Sequence, residues 1–185
     1  MSRGARENAR VRRDITEALF SLLKKKEFSA ITVTDLITEA KVARASYYRN
    51  FEVKEAIVEG YMNSVYMEIR GESEIHIEDF FSYNAIVERV EHALTCLLQK
   101  KSYILALYKN GFGSMILNVL NSYAEDAEGD MPNNSIERYK LYFVTGATFN
   151  ILIKWLESGA VESPLEMAKA CASFLRGDIV TKDML

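Results

Sequence analysis

Arg44, Ser46, Tyr48, Arg49 and Asn50 fall within one short stretch, residues 44–50. The chemistry that such a set supports is hydrogen bonding to nucleic acid. A guanidinium such as Arg44 bonds guanine in two-pronged fashion, and Ser46 and Asn50 are further candidates for base edges. Arg49 and Lys54 are suited to phosphates. Tyr48 offers a hydroxyl to phosphate and ring carbons to thymine methyls. Ala43, Ala45 and Ser46 are small, which lets the start of this stretch approach a groove floor. Tyr47, one position from Tyr48, should point the other way, into a core.

Such residues need elements to hold them. The spacing predicts a first helix over residues 9–26, with Ile15, Ala18, Leu19, Leu22 and Leu23 on one stripe. Thr32 or Thr34 is a good N-cap for a second helix, whose Val33, Leu36, Ile37 and Ala40 face inward. Its N-terminus offers free amides and a hydroxyl to a phosphate. A break falls at residues 41–43, and a third short helix ends near Asn50, with Phe51 plugging the core. This is the layout of a helix-turn-helix, in which the second of the two helices lies in the DNA major groove. The competing reading is a short amphipathic helix with a solvated basic face. Residues 1–8 look like a mobile arm. Arg3, Arg6, Arg10, Arg12 and Arg13 fit either minor-groove or phosphate contact or a merely solvated tail.

The remainder reads as helix: residues 54–70, a polar connection over 71–78, then 79–100, 102–109, 112–127, 135–158 and 164–176. Only two prolines and nine glycines interrupt the chain, which favours long helices. Ser163 and Pro164 suit the start of the last helix, and Gly159 a stop for the one before. The expected fold class is therefore all-α: an N-terminal three-helix helix-turn-helix domain over residues 1–53, then a helical regulatory and dimerisation bundle over 54–185. The segment from Tyr139 to Leu156 is apolar on nearly every face. It fits a helix that meets a second copy of the chain, or a central helix of a monomeric bundle. Phe149, Ile153, Trp155, Met167, Cys171 and Phe174 are the candidate interface residues.

Charge divides the chain. Through Lys54 there are 12 Lys/Arg against 7 Asp/Glu, and beyond it 11 against 19. A basic head on an acidic body points to a polyanionic partner at one end. The polar N-terminus and the lack of a membrane-length apolar run lead us to expect a cytoplasmic protein without membrane contact. Cys96 and Cys171 sit in apolar contexts and read as free thiols. His76 and His92 lack zinc-site spacing, and Glu88 with His92 has no second copy for a di-iron site. There is no glycine-rich phosphate loop. We expect no enzyme, no cofactor and no metal.

At Thr32 to Glu55 the chain resembles the DNA-binding domain of the tetracycline-repressor (TetR) family. That pattern has an aromatic after the first helix, here Phe28, and a threonine opening the second, here Thr32. It ends Y-x-x-F-x-x-K-E, here Tyr48, Phe51, Lys54 and Glu55. The resemblance covers about residues 9 to 60. The stretch FNILIKWLESGAVESPLEMA is similar to a branch that includes regulators of dihydroxyacetone kinase genes. The resemblance implies DNA contacts at Thr32, Thr34, Arg44, Ala45, Ser46, Tyr48, Arg49, Asn50 and Lys54. It implies a homodimer on a double-stranded operator, with reading helices about 34–36 Å apart, and a ligand-responsive repressor. It also implies an effector pocket in the body, for a small molecule or, in some relatives, a protein partner. Tyr61, Val65, Tyr66, Phe81, Tyr103, Leu107, Phe112, Met115 and Phe143 are the candidate pocket residues. An activator acting through a protein partner, or a helical protein-interaction module, is the alternative. Two positions depart from the family pattern. Lys41 stands where glycine is frequent, a left-handed residue costing about 1 kcal/mol. Ala43 stands where Ser or Thr often caps the reading helix, a loss of about another.

Overall fold

A computed structural model describes residues 3–71, 82–128, 132 and 134–175. The described residues are helical throughout. The order is α1 (Arg3–Leu23), a 3₁₀ turn (Phe28–Ala30), α2 (Val33–Ala40), α3 (Arg44–Asn50), α4 (Glu55–Arg70) and α5 (Tyr83–Gln99). Then come α6 (Lys101–Lys109), α7 (Gly113–Glu128), α8 (Ile136–Glu157) and α9 (Pro164–Leu175). The expected all-α class is what the chain adopts.

α1 is the hub of the head. Ile15, Leu19 and Phe20 are fully buried on its inner face, and it packs against α2, α3, α4 and α6. Each such side chain contributes about 1.5–3 kcal/mol by leaving water. The helix begins at Arg3 rather than near Ala9, so the expected arm is helical over its described part. An ion pair one turn apart ties the extension to the helix, Arg10 with Glu7 at 2.6 Å, and Arg10–Asp14 and Arg13–Glu17, each at 3.8 Å, follow along α1. At the other end the amides of Lys25 and Lys26 both reach back to the Leu22 carbonyl, and α1 closes at Leu23.

The body is built by α4 to α9. α5 packs along α9, and α7 lies between α4 and α8. α9 buries Ala168, Cys171 and Ala172, and its main neighbour is α5. α8 buries Leu141, Leu152, Ile153, Trp155 and Leu156, together with Thr145 and Thr148. Thr145 satisfies its hydroxyl on the Leu141 carbonyl and the Asn121 side chain. Ser163 caps α9 in a reciprocal bond with Glu166, and Gly159 takes a φ of +109° after α8. Among the described residues no helix is long and apolar enough to cross a membrane. The polar connection expected over 71–78 lies almost wholly outside the described residues.

Candidate nucleic-acid interface

The α2–α3 unit is fixed from within. Tyr47 and Phe51 of the α3 segment are buried with Leu36 of α2 and with Ile15 and Leu19 of α1. Because successive helical residues are rotated by about 100°, burying Tyr47 turns Arg44, Ala45, Tyr48 and Arg49 outward, and all four are exposed. Among the described residues the Tyr47 hydroxyl has no hydrogen-bond partner.

α2 starts on a complete capping box. The Asp35 amide donates to Thr32 Oγ1 at 3.1 Å, and the Thr32 amide donates to Asp35 Oδ2 at 2.8 Å. Lys26 Nζ adds a bond to the same carboxylate at 2.6 Å. The Lys26 bond and the two Thr32 bonds hold the Asp35 carboxyl well below the usual carboxylate range. Thr32 and Thr34 stand exposed at this end. Thr32 Oγ1 also donates to Asp35 at 2.7 Å, so what it offers a phosphate is position more than a free proton. The turn is made by Lys41 in the left-handed region, φ 53° and ψ 42°, its amide bonded to Ile37 and Thr38 carbonyls. Ala43 opens α3 without a side-chain cap. Both departures from the family pattern thus occupy the conformations that make them costly.

On the outer face two pairs form. The Arg44 guanidinium lies 5.7 Å from the Tyr48 ring centre, with Nη2 3.4 Å from the hydroxyl. Arg49 Nη2 donates to Ser46 Oγ at 2.9 Å. The guanidinium edges remain available on a surface that Ala45 leaves low. This is a donor-rich, cationic strip one helix long, flanked by the exposed Lys41.

One expected contact is constrained and another is corrected. Asn50 donates from its amide to the Ser46 carbonyl at 2.8 Å and is half-buried, which engages one of its two donors. Lys54 faces inward: its Nζ donates to the carbonyls of Phe28 (2.8 Å), Ser29 (3.2 Å) and Ile31 (3.0 Å), 4.5 Å from the Phe28 ring centre. An ammonium has three donors, and all are engaged. Sequence reasoning also missed a buttress. Arg12 Nη1 donates to the Asn50 carbonyl at 3.1 Å across the Phe51 ring, passing where Gly60 of α4 has no side chain. Nothing in local spacing marks Arg12, because its partner is 38 residues away.

The candidate pocket residues do not converge. Val65 and Leu107 are fully buried core, and Phe143 is 67% exposed. Phe112 packs edge-on to Phe28. Tyr61 and Tyr103 join Phe20 in an aromatic cluster and line a cleft of about 400 Å³ between α1, α4 and α6. Tyr66 and Met115 line another, of about 460 Å³, between α4 and α7, with the Tyr66 hydroxyl on Asp126. Phe81 lies outside the described residues. A separate apolar cavity of about 60 Å³ sits between α5, α7 and α8, walled by Ile86, Val90, Leu120, Tyr123 and Val144.

The interface candidates are also redistributed. Ile153, Trp155 and Cys171 are buried within the single chain, and the Trp155 indole donates to the Glu162 carbonyl at 3.2 Å. Phe149 is half-buried near the Tyr108 ring, Met167 is half-buried, and Phe174 is exposed. The exposed apolar stripe of α8 is instead Ile136, Tyr139 and Phe143, at 65%, 54% and 67% exposure.

No acid–base or metal constellation accompanies these surfaces in the described residues. His92 Nε2 lies 2.8 Å from the Ile69 carbonyl, and burial pushes the neighbouring Cys96 thiol up, away from the reactive thiolate. Among the described residues no group of acids, histidines and cysteines could hold a metal ion. His76 lies outside them.

No protein-family model and no curated protein matches the chain. Solved structures do. A TetR transcriptional regulator from Streptococcus agalactiae 2603V superimposes with a TM-score of 0.67 at 19% identity, covering 93% of this chain and 97% of that one. The dihydroxyacetone kinase operon activator DhaS gives 0.60 at 15% identity, over 91% and 96%. A TetR transcriptional regulator from Rhodococcus sp. RHA1 gives 0.55 at 16% identity, over 94% and 100%. The likeness runs over head and body together, and the fold is the one these regulators share.

Proposed function

We propose that this chain is a DNA-binding transcriptional regulator of the tetracycline-repressor type, acting as a homodimer and answering to an effector bound in its body. The head is residues 1–53 and the body 54–185. The observation that carries the reading is the outer face of α3. Arg44, Ala45, Ser46, Tyr48 and Arg49 stand together there, while Tyr47 and Phe51 lock the helix to the core. In this reading Arg44 and Ser46 meet base edges. Thr32, Thr34, Tyr48 and Arg49 hold the backbone, with Lys41 as a further cation.

A second copy is assigned to the Ile136–Tyr139–Phe143 stripe of α8, which one subunit leaves uncovered. The effector is assigned to the body, where the cavity between α5, α7 and α8 is walled by apolar side chains; at about 60 Å³ it must enlarge to take a drug-sized molecule. We take the direction of control to be repression. Activation is the second reading, favoured by the structural likeness to a protein described as an operon activator.

The experiment is a duplex selection from a randomised library, followed by gel retardation of the best duplex and a random one across a salt series. Cognate binding at least 10³-fold tighter than random, both falling with salt, is the expected result. Equal affinity for both duplexes would refute the reading.

A further inference from the structure

We propose that Asn110 and Lys54 are positioning residues for the DNA-reading surface, both acting through Phe28. The inference rests on the assignment of α2 and α3 as the DNA contact, and it concerns what holds them in place.

Phe28 is gripped on both sides. Its amide donates to Asn110 Oδ1 at 2.8 Å, a bond between the head and the corner that joins α6 to α7. Asn110 cannot swing away freely, because its Nδ2 donates to the Ala106 carbonyl at 2.8 Å. In the same corner Gly111 makes the reversal at φ +87°, and Phe112 sets its ring edge-on to Phe28 at 4.8 Å. From the opposite side Lys54, at the start of α4, takes the Phe28 carbonyl, and with its other two donors the carbonyls of Ser29 and Ile31.

The clamp has no slack before α2. The peptide joining Ile31 to Thr32 is held at its oxygen by Lys54 and at its nitrogen by Asp35, the partner of Thr32 in the capping box of α2. A shift of the α6–α7 corner therefore reaches the α2 N-terminus through one ring, one amide and one rigid peptide plane. α2 in turn packs on α1 and α3. Lys54 acts here by placing the helices, with no donor left for a phosphate.

The full-length protein tests this with Asn110→Ala, Lys54→Met and the pair combined. Two readouts are used: amide hydrogen exchange over residues 28–36, and retardation of the selected and random duplexes across a salt series. Each single change should speed exchange over 28–36 and leave α5 unaffected. Affinity for the selected duplex should fall about three- to ten-fold, with random-duplex affinity and salt slope unchanged. The double variant should lose less than the product of the two singles, since both act on one residue. Asn110→Asp keeps an acceptor for the Phe28 amide but loses the donor to the Ala106 carbonyl. Its selected-duplex affinity should fall less than that of Asn110→Ala, although a carboxylate at the end of α6 lowers thermal stability.

Equal losses on both duplexes would mark simple destabilisation and overturn the proposal. So would a fall of about one in the salt slope for Lys54→Met, which would make it a phosphate contact. If the wild type selects no duplex, the DNA reading fails separately, and the exchange data still decide. Unchanged exchange over 28–36 overturns the clamp, and faster exchange supports it.

Discussion

Arg44 and Tyr47 are three residues apart on α3 and carry opposite predictions. Arg44→Ala removes the guanidinium at the start of α3 and should cost about 1–3 kcal/mol on the selected duplex, less on a random one, by retardation at fixed salt. Tyr47→Phe deletes a buried hydroxyl that has no partner among the described residues. It should raise stability by about 1 kcal/mol in urea unfolding and leave duplex affinity unchanged. The opposed orientations of Tyr47 and Tyr48 were legible in the sequence, because helical rotation alone separates adjacent residues. Those of Asn50 and Lys54 were not. Their side chains look like DNA ligands in type and spacing; Asn50 instead bonds the Ser46 carbonyl one turn back, an alternative that spacing leaves open, and only the folded chain brings Lys54 its carbonyls, from 23 to 26 residues away.

At the scale of elements, α2 depends on its capping box and α4 on a gap. Asp35 has a folded-state carboxyl held below its ordinary value by Lys26 and Thr32. The stabilisation it gives is complete above the unfolded value near 4 and is lost as pH falls below it. Asp35→Asn should therefore flatten the decline in melting temperature between about pH 4 and pH 2, measured by circular dichroism. Gly60 sits inside α4, where an added Cβ would lie 3.2 Å from the end of the Arg12 side chain. That end is held by the Asn50 carbonyl and the Phe51 ring, so Gly60→Ala should displace the Arg12 buttress and cancel the helix-propensity gain of about 0.5–1 kcal/mol, leaving stability in urea no higher than that of the wild type. The helices themselves were readable because few breakers interrupt the periodicity, and caps such as Ser163 mark their starts. The early start of α1 was not, because its first turns carry no apolar signal and are tied in by the exposed Glu7–Arg10 pair.

For the whole molecule, the apolar surface of α8 is divided between the interior and one outward stripe. Phe143→Glu should convert a dimer to monomers in light scattering while the helical signal persists, since Phe143 contributes little to the core. Trp155→Glu should instead unfold the chain, because a buried carboxylate without a partner is costly. Unchanged mass for Phe143→Glu would remove the α8 stripe from the interface. An α8 apolar on nearly every face was visible in the sequence, but which face meets which neighbour was not. Periodicity says that a face is buried without naming its partner, so α9 on α5 and the dispersal of Tyr61, Val65, Tyr66 and Leu107 among different cores and clefts emerge only from packing.

Trp155 is the single tryptophan of the chain, shielded from solvent and tied through its indole to the Glu162 carbonyl. Fluorescence of the wild-type protein is thus a private channel to the α8–α9 region. An emission maximum shifting to the red will report when that region opens, and it will be blind to melting confined to the α2–α3 unit. A far-ultraviolet transition that precedes the emission change would reveal a head that loosens before its body.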